Sequence, residues 1–282
     1  MVLTYPTKFS SVSKLAKRIN TDFSNDFEKT RAVYTWIANN VAYEPSEYGK
    51  FDFEYSSQAE LEKKEKEYEK NLSKRVISKG KAVCEGYSTL FKVLCDELNI
   101  KSKVVTGGSK TRISDIGKRY YSDHAWNMVF IENKKYLLDV TWGAGAFGNR
   151  FAKNVDYFYY FTNPKLFLKK HYPDYYENAL LIEKINKEEF LNGPLLYNYD
   201  FELKSPLNGI IKKSDVSKVK FQFQTDKDVS SISYDLDSKN YPVNQFTNDE
   251  ILEFEIDLTG LKRQRELVLY FDYEPIIGFK LR

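Results

Sequence analysis

Apolar positions in the first hundred residues recur at helical spacing. Val12, Leu15, Ala16 and Ile19 line one face of a first predicted helix. Ser24-Asn25-Asp26 offers N-caps for a second, which runs through Phe27, Ala32, Val33, Trp36 and Ile37 to Asn39-Asn40. Residues 44–58 hold Pro, Gly and Ser and read as a loop, and the Glu/Lys-dense stretch 59–75 reads as one solvated helix held by i,i+4 pairs rather than a partner-binding tail. After Gly80 a strong helix begins at Cys84, with Tyr87, Leu90, Phe91, Leu94, Cys95 and Leu98 as its apolar face. Strand signals follow at 103–106, 124–131 and 136–141, and the polar stretch 107–123 is a loop long enough to border a site. Residues 154–191 mix aromatic packing with short helical segments. From 205 to 282 the pattern changes to short alternating runs, such as Val219-Lys-Phe221-Gln-Phe223 and Leu252-Glu-Phe254-Glu-Ile256, which predict a small β-sandwich. The fold class is therefore α+β, with a first domain over 1–203 and a second over 204–282.

Composition narrows the function. The 282 residues carry 43 Lys+Arg against 40 Asp+Glu, a net charge of +3 with interspersed signs, which lacks the basic footprint of a nucleic-acid binder. Hydrophobic content of 42% and a mean hydropathy of −0.55 fit a globular chain, with no apolar run near the ~18 residues of a membrane span. Met1–Ser10 has no apolar core of a signal peptide. A cytoplasmic location is expected if Met1 is the native start, and a secreted or periplasmic one if a leader was removed. The two cysteines, Cys84 and Cys95, fall in one helical pattern. Their Cα atoms would lie about 16 Å apart at helical rise, beyond the reach of a disulfide. His124 and His171 are the only histidines, and no zinc spacing, calcium loop, P-loop or dinucleotide motif is present, so no cofactor and no metal are expected.

Cys84 opens a helix directly after a Gly-containing loop, where the helix dipole and free N–H groups favour a thiolate, whereas Cys95 sits mid-stripe as a small core residue. The hairpin formed by His124–Ile131 and Lys135–Trp142 adds a base and an acid. If Glu132-Asn133 is the two-residue turn, Ile131 faces Lys134, and His124 and Asp139 become diagonal neighbours on one face, ~7–8 Å apart at Cβ. If the turn is Asn133-Lys134, the offset grows to roughly 13 Å and the pair is lost. Turn chemistry leaves both registers open. The first gives the Cys–His–Asp logic of acyl transfer; the alternative is a hairpin with a hydrogen-bonded histidine and a capping aspartate.

The motifs Lys81-Ala-Val-Cys84-Glu-Gly86-Tyr87-Ser, His124-Ala-Trp126-Asn and Leu138-Asp139-Val-Thr141-Trp142 resemble the transglutaminase-like superfamily of papain-type fold. The run from Asp156 to Pro164, followed by His171-Tyr-Pro173, is similar to the branch that contains kyphoscoliosis peptidase and related cytokinesis proteins, with Asn178-Ala179 in place of that branch's usual Trp-Gln. The resemblance covers about residues 26–181 and implies Cys84 as nucleophile, His124 as general base and then acid, and Asp139 as the group fixing the histidine tautomer. It implies an oxyanion hole built from the Cys84 N–H and an upstream side chain, for which Gln58 is chemically apt. Tyr87 and Trp126 belong to the same motifs and are candidates for the substrate pocket or for packing behind it. His171 reads as a structural histidine. The expected reaction is metal-independent acyl transfer on peptide or protein amides through a thioester, resolved by water in a peptidase-like enzyme. The alternatives are a deamidating or cross-linking transglutaminase, and a catalytically dormant scaffold that docks a protein partner through the C-terminal sandwich. That sandwich is expected to be immunoglobulin-like.

Overall fold

Ser11, Asn25 and Ser57 lie in extended backbone, and each side chain accepts a hydrogen bond from the N–H three residues on, which starts Val12–Asp22 (α1), Asp26–Asn40 (α2) and Gln58–Lys79 (α3). The computed structural model describes residues 1–49, 56–248, 251–261, 263 and 265–282. The chain divides into two units: residues 1–107, 122–167 and 173–180 form the first, and residues 108–121, 168–172 and 181–282 the second.

In the first unit Ala42–Tyr43 (β1) pairs in parallel with Lys81–Ala82 (β2), which leads into Cys84–Glu97 (α4). Ser102–Ser109 (β3), His124–Ile131 (β4), Lys134–Leu138 (β5), Val140–Ala144 (α5), Gly145–Phe147 (β6), Phe151–Lys153 (β7), Tyr160–Thr162 (β8) and Pro164–Phe167 (α6) follow. Strands β8, β5, β4 and β3 lie side by side in that order, all antiparallel. Alternation along β4 splits its side chains between two cores. Val129 and Ile131 join Leu15, Ile19, Trp36, Ile37, Leu90, Phe91 and Leu94 of the helices, while Trp126 and Met128 pack with Val105, Leu137 and Phe167 on the other face.

Helix α3 departs from the solvated reading in its second half. Lys64 does pair with Glu60 at 2.8 Å, one turn away, but Leu72, Ser73, Val76 and Ile77 are buried. A Cβ placed at Gly86 would lie 2.8 Å from Ala82 Cβ and 3.0 Å from Val76 Cγ2, so only glycine allows α3 this close to the first turn of α4. Lys92 bonds Glu69 at 2.7 Å, and Tyr68 donates to Glu85, tying the two helices along their length. The strand expected over 136–141 also ends early, at Leu138, because Asp139 turns the chain into α5.

The remaining elements are His171–Pro173 (β9), Lys187–Asn192 (α7), Leu195–Leu196 (β10), Glu202–Ser205 (β11), Ile210–Ile211 (β12), Lys218–Gln224 (β13), Ile232–Leu236 (β14), Lys239–Pro242 (β15), Thr247–Asn248 (β16), Leu252–Asp257 (β17), Glu266–Phe271 (β18) and Glu274–Leu281 (β19). In the second unit one sheet has the order β11-β13-β17-β16 and the other β10-β19-β18-β14-β15, with β12 parallel on β19. Phe221 meets Phe279 at 5.3 Å and Phe223 meets Phe271 at 5.1 Å, so the two sheets share one aromatic-rich core. This unit begins earlier than the expected boundary at 203/204. Leu195–Leu196 adds to β19, and Ile113 and Ile116 of the loop 108–121 cluster with Leu195. Among the described residues no helix is long and apolar enough to cross a membrane.

Candidate active site

The β4–β5 hairpin takes the Glu132-Asn133 register. Ile131 pairs with Lys134, Met128 with Leu137 and Asn127 with Leu138, and both turn residues have positive φ (49° and 62°), the type I′ geometry whose twist suits a two-residue connection. His124 and Asp139 consequently share a face. Nε2 of His124 meets Oδ2 of Asp139 at 2.7 Å, with both side chains buried.

Asp139 is also the N-cap of α5. Its Oδ1 accepts from the N–H groups of Thr141 at 2.8 Å and Trp142 at 3.1 Å. The short helix is held from below: Asp156 N–H donates to Gly143 O at 2.9 Å, and the Tyr34 hydroxyl donates to Asp156 O at 2.6 Å. A Cβ at Gly143 would lie 1.6 Å from that hydroxyl oxygen, so this strut requires glycine. The carboxylate is thus fixed in place before it orients anything.

Above the pair, Trp142 lies 5.3 Å from the His124 ring, tilted by 31°, and Tyr159 meets Trp142 edge-on at 5.6 Å. Burial disfavours the charged imidazole, but the Asp139 carboxylate and a hydrogen bond with the Cys84 thiol outweigh it and raise the His124 pKa to about 10. With Nε2 committed to Asp139, Nδ1 is the ring nitrogen left to serve the thiol. Cys84 is half-buried at the first position of α4. Val83, its N-cap, supplies no side-chain acceptor, so no cap competes for the backbone N–H groups that open the helix. The amide of Asn127 in β4 donates to Ser88 O at 2.9 Å and links the histidine's strand to the cysteine's helix.

The structure therefore brings Cys84, His124 and Asp139 together. Cys95 is fully buried in the core, where burial pushes its thiol pKa well up. Gln58 is not brought to the thiol. It is exposed on the first turn of α3, 3.5 Å from Glu62, and helical rise places it about 21 Å along the axis from Leu72, the residue that packs near Gly86. Tyr87 and Trp126 are both packed in the interior. Tyr87 is fully buried with its hydroxyl on Val41 O at 2.7 Å, and Trp126 packs edge-on against Phe167 at 5.8 Å. His171 is buried in β9.

The capping aspartate weighed as an alternative from the sequence and the histidine's partner are one and the same residue, Asp139. Two other contributors escaped the sequence reading. The bridging role of Asn127 had no signal, since a polar residue in a strand reads as solvent-facing. The strut from Tyr34 depends on a contact more than a hundred residues away in sequence.

Residues 13–138 match the family model of the transglutaminase-like superfamily. Kyphoscoliosis peptidase of Mus musculus is 28% identical over 189 residues, 65% of this chain and 26% of the relative. The Homo sapiens protein of the same name is 28% identical over 192 residues, 66% of this chain and 27% of its own. The chain thus spans about a quarter of the length of these relatives. A solved crystal structure of a TGase is 21% identical, covering 52% of this chain and 34% of its own, at a TM-score of 0.33. Over residues 13–138, a little under half of its length, the chain is thus transglutaminase-like.

Proposed function

We propose that the protein is a cysteine-dependent acyl-transfer enzyme acting on peptide or protein amides. The observation that carries this reading is a buried imidazole held between a fixed carboxylate at 2.7 Å and a thiol at a helix start. Cys84 Sγ, its proton passed to His124 Nδ1, adds to the amide carbonyl carbon. Collapse breaks the C–N bond, and the imidazolium returns that proton to the leaving amine, which leaves a thioester on Cys84. Water then attacks the thioester carbonyl, losing its proton to His124, and the thiol is restored as the carboxylic acid departs. Asp139 keeps Nε2 protonated throughout, so that Nδ1 is the nitrogen that takes up and returns the proton. The name of the peptidase relatives supports water rather than an amine as the acceptor. In the second unit, the orders β11-β13-β17-β16 and β19-β18-β14-β15 support an immunoglobulin-like sandwich, a form suited to docking a protein partner.

Iodoacetamide alkylation at pH 6, followed by peptide mapping, tests the thiol. Cys84 is expected to label at least ~10-fold faster than in His124→Ala, because a free thiol is almost wholly protonated at that pH. Cys95 is expected to stay unlabelled until the protein unfolds. Equal labelling of Cys84 in the two proteins would remove the imidazole from the mechanism.

A further inference from the structure

Addition of a thiolate to a carbonyl places negative charge on the carbonyl oxygen, and stabilising it takes preorganised donors. The Cys84 N–H at the start of α4 is one. We propose that the hydroxyl of Tyr43 is the second, held beside the Cys84 turn by the pairing of β1 with β2; the assignment rests on the acyl-transfer reading above.

Three constraints fix β1 there. Tyr43 is in register with Ala82, two residues before Cys84, and the ladder is closed by Ala42 N–H on Gly80 O and Glu44 N–H on Ala82 O, both at 2.9 Å. From the other side, the Tyr87 hydroxyl in the first turn of α4 donates to Val41 O at 2.7 Å. The segment carrying Tyr43 is thus bonded both to the strand that enters the catalytic helix and to the helix itself. The Tyr43 ring is half-buried, packed against the helical core, with Phe147 5.6 Å away. Burial, and then the charges of Cys84, Asp123 and Asp139, all act to raise the pKa of its phenol. The hydroxyl therefore remains a protonated donor at neutral pH, within the electrostatic reach of the thiol. Gln58, the chemically apt candidate from the sequence, has no comparable tie to Cys84.

The test uses p-nitrophenyl acetate, an acyl donor that needs no knowledge of the natural substrate. Acetyl transfer to Cys84 forms the S–C bond, breaks the C–O bond and releases p-nitrophenolate, while the thiol proton passes through His124 to water. The tetrahedral intermediate carries an oxyanion. Iodoacetamide, by contrast, reacts at a saturated carbon and develops none there. Tyr43→Phe is expected to slow the acylation burst by roughly 10²-fold. Its Cys84 alkylation rate is expected to stay within about twofold of the parent, since the ring and its packing remain.

Unchanged acylation in Tyr43→Phe would overturn the assignment. A parallel fall in acylation and alkylation would overturn it too, because Tyr43 would then be supporting the thiol rather than the oxyanion. If Cys84→Ala releases p-nitrophenolate as fast as the parent, the acyl-transfer reading itself fails and the assignment falls with it. The Cys84→Ala arm separates that failure from the failure of Tyr43 alone.

Discussion

Each oxygen of Asp139 has its own partners: Oδ2 meets His124, while Oδ1 receives two backbone N–H groups of α5. The two duties respond differently to substitution. In Asp139→Asn the carbonyl oxygen can still cap α5, but the amide N–H₂ turned toward His124 forces the imidazole proton onto Nδ1, where it can no longer accept from a thiol. Alkylation of Cys84 at pH 6 is expected to fall about tenfold or more, with little loss of stability. In Asp139→Ala the cap is lost as well, and leaving buried N–H groups unpaired costs ~1–3 kcal/mol in a urea titration. Equal stability for the two variants would mean that the cap contributes nothing. Cys84, His124 and Asp139 stood out in the sequence because each lies in a short motif, but the pairing of His124 with Asp139 hung on a hairpin register that only the structure gives. Tyr87 and Trp126 were not separable into pocket or packing, because an aromatic residue carries the same pattern in both settings.

The elements that deliver these residues depend on the hairpin turn. Glu132 and Asn133 both adopt left-handed backbone, which asparagine tolerates and glutamate does not favour. Glu132→Asn is therefore expected to stabilise the first unit by up to ~1 kcal/mol, read as a higher urea midpoint, with Cys84 alkylation unchanged. A loss of stability would show that the Glu132 side chain contributes more than its backbone costs. This turn explains why the register stayed open from sequence: neither Glu nor Asn carries the signal that a glycine would. Helix α3 shows the opposite difficulty. Its charge density hid Leu72, and the close approach of Leu72 and Val76 to α4 depends on the missing side chain at Gly86.

Across the whole molecule, the two units carry buried bases that respond to pH with opposite signs. His124 has its pKa raised from 6.5 to about 10, so its contribution to the first unit is full below about pH 6.5 and is lost as pH rises through about 10. Lys110, in the second unit, donates from Nζ to Phe190 O at 2.5 Å and Gly193 O at 2.7 Å, and burial pulls its pKa down from 10.5 to about 7. A neutral amine has two N–H groups for those two carbonyls. Its contribution is present above about pH 10.5 and is lost as pH falls through about 7. All three tryptophans, Trp36, Trp126 and Trp142, lie in the first unit, so their fluorescence reports that unit alone. Between pH 6.5 and 10 the urea midpoint from fluorescence is expected to fall, while the circular-dichroism transition of the sandwich rises and does so no longer in Lys110→Met. Parallel movement of the two transitions would defeat the assignment of opposite signs. The unit boundary itself was poorly legible, because Leu195–Leu196 is too short to show alternation and the loop 108–121 gives no hint of membership.

That interleaving has a consequence for how the molecule can be made. The chain visits the second unit at residues 108–121 and 168–172 before it has finished the first at residue 180. His124 and Asp139 are therefore translated after the first of these excursions, and the first unit cannot close on a ribosome until residue 180 has left the exit tunnel. No single break in the gene yields either unit whole. A recombinant fragment ending near residue 203 would carry strands meant for the sandwich without the sandwich to receive them. Exchange of this core between proteins by one crossover would separate residues that must fold together.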